Sequence, residues 1–79
     1  MSSKLKVISG KTLLKLLEQL GFEIVRINGS HYRLKHSDGR VTTVPVHKNK
    51  DLPKGLLDKI ITQDLDISLE SYNKLADKY

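Results

Sequence analysis

The residues with the most chemical potential in this chain sit in one octapeptide, Arg26-Ile27-Asn28-Gly29-Ser30-His31-Tyr32-Arg33. Histidine titrates near neutrality, so His31 can both accept and release a proton at physiological pH. Arg26, Arg33 and Lys35 surround it with fixed positive charge, and Lys11, His47 and Lys48 add more along the chain. Such a set suits a phosphodiester. RNA carries its own nucleophile in the 2′-hydroxyl, and its cleavage needs a base for that hydroxyl, an acid for the 5′-oxygen and cations for the phosphorane. From the residues alone, an isolated histidine behind a turn is more often a solvated strand residue than a catalyst. The basic loop at His47 and Lys48 reads equally as a phosphate contact or as plain surface, and His36 reads as the close of a strand.

Other chemistries find less support. A zinc site wants three or four convergent ligands, and His31 and His36 fall on opposite faces of the strand pattern. Ser30, His31 and Asp38 contain the residue types of a nucleophilic triad, but Ser30 and His31 are neighbours and no nucleophile elbow is present. There is no phosphate-cradling glycine loop and no cysteine, hence no thiolate site and no disulfide framework. The first ten residues lack the apolar run of a signal peptide, and no stretch approaches the roughly 20 apolar residues of a membrane span. These features lead us to expect a soluble, cytoplasmic protein with no cofactor.

The positioning elements follow from periodicity. Leu13, Leu16, Leu17 and Leu20 form one helical stripe, with Ser9 as N-cap and Gly21 as the left-handed stop. Lys11 and Lys15 lie off that stripe. Strand-like runs are predicted over 22–27, 31–36 and 40–46, separated by the turn signals Asn28-Gly29 and Asp38-Gly39. Pro45 cannot donate to a ladder, which marks the third strand as an edge. Pro53 is expected as the first residue of a second helix with Leu56, Leu57, Ile60 and Ile61 buried. Ser68 caps a short third helix running to about residue 74, with Leu69, Tyr72 and Ala76 inward. The order α-β-β-β-α-α makes an α+β fold, a three-stranded antiparallel meander with helices on one face.

The register decides which way His31 faces. With an odd number of residues in each loop, Phe22, Ile24, Tyr32, Leu34, Val44 and Val46 share the core face. Glu23, Val25, Ile27, His31, Arg33, Lys35, Val41, Thr43 and Pro45 then share the other, with Glu23 opposite Lys35. The 79 residues carry a net charge of +5. Residues 1–59 hold a balance of +7 and residues 60–79 one of −2, a polarity that suits an anionic partner. A chain this short buries only about 60% of its unfolded surface.

Several segments together resemble the HicA-type mRNA interferase toxins, the YcfA-like family. They are Ser9-Gly10-Lys11, Gly21-Phe22, Gly29 to Leu34, Asp38-Gly39-Arg40, Thr43 to His47 and Leu52 to Ile61. No single piece is specific, but their order over so short a chain is, and the likeness runs from about Lys6 to Tyr72. The length of 79 residues sets one domain over 1–79, with a flexible N-terminus expected over 1–8, and the resemblance implies a fold like a double-stranded-RNA-binding domain. It implies the toxin of a type II toxin–antitoxin system that cleaves mRNA without a metal. It also implies a HicB-type antitoxin that covers the site. The family's catalytic histidine is the one in Gly-Ser-His, here His31, presented by Asn28, Gly29 and Ser30. Two positions depart from the pattern. Asn28 stands where many relatives have Lys or Arg, and Asp66 where many have Gly.

Two further readings remain. One is a non-catalytic RNA-binding module that grips a duplex by shape and phosphate contacts. The other is an interaction domain, in which Val25, Ile27, Val41 and Pro45 on the open face form a partner surface.

Overall fold

Ser9 adopts extended backbone and its hydroxyl accepts the Thr12 N–H at 3.1 Å, starting helix α1 (Gly10–Gln19) as its N-cap pattern predicts. Gly21 ends the helix at φ 98°. The chain, for which the computed structural model describes residues 5–79, then runs through β1 (Glu23–Asn28), β2 (His31–Lys35) and β3 (Val41–Pro45). Helix α2 (Lys54–Lys59) passes directly into a π-helical turn (Ile60–Asp64), and α3 (Leu69–Ala76) follows. The sheet is antiparallel in the order β1-β2-β3, so β3 with Pro45 is an edge. The fold is α+β with an α-β-β-β-α layout and an added C-terminal helix.

The helices cover one face of the sheet. Leu13, Leu16 and Leu17 of α1 meet Leu34 and Val44, joined by Leu57, Ile60, Ile61, Leu65, Tyr72 and Ala76. Phe22 is buried too, but just ahead of β1 rather than within it. Pro53 proves to be the N-cap of α2, one position before the helix, because Leu57 N–H already bonds its carbonyl. Ser68 caps α3, accepting the Ser71 N–H at 3.1 Å, and that helix runs two residues further than expected, to Ala76. Asp66 sits at φ 55°. It thus takes the left-handed conformation that glycine supplies most easily and that Asp tolerates better than most residues.

From residue 5 onward the N-terminal segment packs on the core; the expectation of a flexible 1–8 falls in part on residues 1–4, which lie outside the described residues. Ile8 is buried and its carbonyl accepts the Leu52 N–H at 2.9 Å. Lys6 N–H donates to Asn73 Oδ1 at 3.0 Å, and the Tyr72 hydroxyl donates to the Lys6 carbonyl. Burial of that phenol pushes its pKa up to about 12.

The first hairpin differs from its sequence reading in two linked ways. Asn28 pairs with His31, so the two loop residues are Gly29 and Ser30, not Asn28 and Gly29. Gly29, at φ 61°, occupies the first central position, where a type II′ turn wants glycine. A two-residue loop alone would put Ile24 on the wrong face. A β-bulge at Val25 restores it: below the bulge Ile24 faces Leu34 and Glu23 faces Lys35, while above it Ile27 faces Tyr32 and Arg26 faces Arg33. The expected odd residue is therefore in the strand, not in the loop. As a result Ile27 lies on the Tyr32 side rather than the His31 side, and Arg26 and Asn28 join His31. Ile24 is on the core side as expected, yet it stays exposed because β1 is an edge beyond the helices' cover. The second loop, between Lys35 and Val41, has the odd length required.

Candidate active site

The face of the sheet away from the helices carries two cross-strand rows. Asn28, His31 and Pro45 are mutually paired across the three strands, and Arg26, Arg33 and Thr43 form the next row. His31 is the first residue of β2 and is exposed. Its position is fixed from both sides. The Ser30 carbonyl accepts the Val46 N–H at 2.7 Å, which pins the turn to the end of β3. Gly10 lies against the same backbone, so close that a Cβ there would stand 2.3 Å from the Pro45 carbonyl oxygen. Only glycine lets α1 begin beside the strand position that pairs with His31.

Arg26 and Arg33 face each other directly. Like charges in that relation destabilise a sheet, and none of the ion pairs among the described residues involves either. Both arginines line a depression of ≈ 260 Å³ with Asn28, His31 and Thr43. That depression adjoins a larger cleft of ≈ 470 Å³, which shares His31, Arg33 and Thr43 and continues over the β3 edge to Leu56, Lys59, Ile60 and Asp64. His31 is thus the hinge of a continuous groove whose ionisable lining is four basic groups and one carboxylate.

The expected site residues separate accordingly. Arg26, Asn28, His31 and Arg33 converge. Gly29 and Ser30 form the turn beside them, and Lys11 is exposed on the first turn of α1, next to Gly10. Lys35 shares the face but lies at the far end of β2, opposite Glu23 and Val41, and lines neither depression. His47 and Lys48 are exposed in the turn beyond β3 and line neither. The sequence pattern puts Thr43 on this face but gives it no role, and the residues missed in sequence are Lys59 and Asp64. Lys59 was visible as a cation off the apolar stripe of α2. Asp64 gave no signal, because it closes a π-helical turn that 3.6-residue periodicity does not anticipate.

His36 and Arg40 belong to the scaffold. His36 Nε2 lies 3.1 Å from the Leu20 carbonyl and Nδ1 accepts the Asp38 N–H at 3.1 Å, with the ring edge-on to Phe22 at 5.0 Å. Arg40 donates from Nε to Asp38 Oδ2 at 2.8 Å, reaches the Leu65 carbonyl, and lies 5.3 Å from the Phe22 ring centre. The backbone N–H of Arg40, and then its side chain, hold the Asp38 carboxyl below the ordinary value of 3.8. Asp38 is therefore engaged by Arg40 and His36 rather than by His31. Among the described residues no three His, Cys, Asp or Glu side chains converge as metal ligands, and no helix is long and apolar enough to cross a membrane.

A helix, an antiparallel three-stranded meander and a following helix, with a basic open face, give the layout of a double-stranded-RNA-binding-like domain. Residues 10–65 match the family model of the HicA toxin of bacterial toxin–antitoxin systems. The match spans most of the chain, and the chain belongs to that family. No curated protein matches it.

Proposed function

We propose that this protein is a metal-independent endoribonuclease that cleaves mRNA, with His31 as its catalytic histidine. The observation that carries the reading is the Arg26–Arg33 pair beside an exposed histidine. Two like charges held face to face without a carboxylate weaken the isolated sheet, and they make sense once a polyanion lies between them. In this reading His31 takes the proton from the 2′-hydroxyl of a bound strand, the oxygen attacks the adjacent phosphorus, and the bond from phosphorus to the 5′-oxygen breaks. Arg33 and Lys59 neutralise the charge that grows on the phosphorane oxygens, and Arg26 grips a neighbouring phosphate. Lys11, Ser30, Lys35, His47 and Lys48 serve the strand outside the groove. The departing 5′-oxygen takes its proton from solvent water.

The whole chain acts as one such domain, neutralised by a HicB-type antitoxin protein that covers the groove. Val41 and Pro45 line the cleft and would be covered with it. Val25 and Ile27 are 54% and 57% exposed on the β1 edge, but Ile27 pairs with Tyr32 on the opposite face and is not part of that surface. The test is inducible expression of wild type and His31→Ala. Wild type should arrest growth and degrade cellular mRNA, and the variant should do neither while accumulating as folded protein. Full toxicity of the variant would remove His31 from the mechanism.

The layout itself favours one alternative, an RNA-binding module without catalysis. Such a protein would bind duplex RNA with a steep salt dependence and leave a labelled transcript intact for hours.

A further inference from the structure

The larger cleft passes His31, crosses the β3 edge and ends against α2 and the π-helical turn. At that end stands Asp64, the one carboxylate of the lining. A carboxylate opposes phosphate, so phosphate binding does not account for it. A structural tie accounts for half of it: the Thr42 hydroxyl donates to Asp64 Oδ2 at 2.9 Å. Oδ1 takes no hydrogen bond among the described residues, and the side chain is only partly buried. The lining is mixed: Val41, Pro45, Leu56 and Ile60 supply its apolar part, and Thr42, Thr43 and Lys59 its polar part beside Asp64. The ≈ 470 Å³ of the cleft falls within the range of small-molecule sites, about 300–1,000 Å³. π-Helical turns like the one that ends in Asp64 occur frequently at functional sites.

We propose that this end of the cleft binds one nucleobase of the RNA strand, next to the phosphate held at His31, and that Asp64 reads the base's exocyclic amino group. The inference rests on the groove being the RNA site. Single-stranded RNA offers bases that can be splayed out and read on their hydrogen-bonding edges. The apolar part of the lining takes the faces of the base, and Oδ1 accepts from the amino group of adenine, cytosine or guanine. Uracil instead presents carbonyl oxygens on both sides of its one N–H, and the carboxylate repels them.

The probe is a set of 2′-O-methyl tetranucleotides, all uracil or uracil with one adenine, cytosine or guanine. The blocked 2′-oxygen prevents cleavage, so binding is read apart from catalysis. With wild type, a single amino-bearing base should tighten binding about tenfold over all-uracil and shift the amide resonances of Leu56 and Ile60. Asp64→Asn should erase that preference yet bind the all-uracil probe at least as well. Asn keeps an oxygen for the Thr42 hydroxyl, and the wild-type comparison stands even if the variant fails to fold. Equal affinity of wild type for all four probes overturns the proposal, as does a preference that survives Asp64→Asn. A wild type that shows the preference but cuts no RNA contradicts the nuclease reading and leaves this one standing. One that cuts RNA with no base preference contradicts this inference alone.

Discussion

At the scale of single residues, function and stability pull in opposite directions at Arg26. Its charge faces Arg33 across the hairpin; favourable cross-strand pairs contribute roughly 0.2–1 kcal/mol, and directly opposed like charges act in the destabilising direction. Replacing Arg26 with Thr should therefore raise thermal stability while slowing RNA cleavage; a variant that loses stability, or cuts at the wild-type rate, would contradict the role given to the pair. Asp38 shows the reverse, a charge kept for the fold. Its carboxyl is held below 3.8 first by the Arg40 N–H and then by the Arg40 side chain. A carboxyl lowered in the folded state stabilises it above the unfolded pKa and loses that contribution as pH falls through the folded one. Acid titration of stability should thus show a drop below about pH 4 that Asp38→Asn shows less steeply. His31 was legible in sequence as a candidate because its chemistry is local. Arg40 as the clamp on Phe22 and Leu65, and Asp64 as a wall of the cleft, were not, because both depend on contacts 18 to 25 positions away along the chain.

At the scale of elements, the decisive feature is the bulge at Val25. The helices, their Ser9 and Ser68 caps and the three strands were legible, since periodicity and capping are short-range signals. The face shared by Ile24 and Leu34 was legible too, because only that face can be buried. What the pattern left open was where the odd residue goes. Loop and bulge satisfy Ile24 equally, and only the bulge carries Arg26 and Asn28 to the side of His31, re-aiming side chains as bulges beside active sites do. The other positioning device is the packing of α1 on the end of β3. Ser9-Gly10 read as a helix start, and its second duty is steric: Gly10→Ala would force a Cβ onto the Pro45 carbonyl. That substitution should destabilise by about 1–3 kcal/mol, and it should also weaken RNA cleavage, because Pro45 pairs with His31. A variant with wild-type melting and wild-type activity would show that α1 does not set this strand end.

At the scale of the whole molecule, the charge is divided by face. The helices turn their leucines to the sheet, and Arg26, Arg33 and Lys59 gather with His31 around one groove. A family of bacterial toxins matches over residues 10–65, a span that holds every groove residue from Arg26 to Asp64 and ends at Leu65, where Arg40 anchors. In the proposed reading, the net charge of +5 helps draw the RNA polyanion to this face. The central claim is that this one imidazole, with arginine and lysine around it, cuts RNA without a metal. The most direct measurement is incubation of a labelled transcript with purified wild type and His31→Ala in excess EDTA. Wild type should cut the transcript with EDTA present, and His31→Ala, with an unchanged melting curve, should leave it whole. An uncut transcript with wild type, or equal cutting by both proteins, would contradict the account.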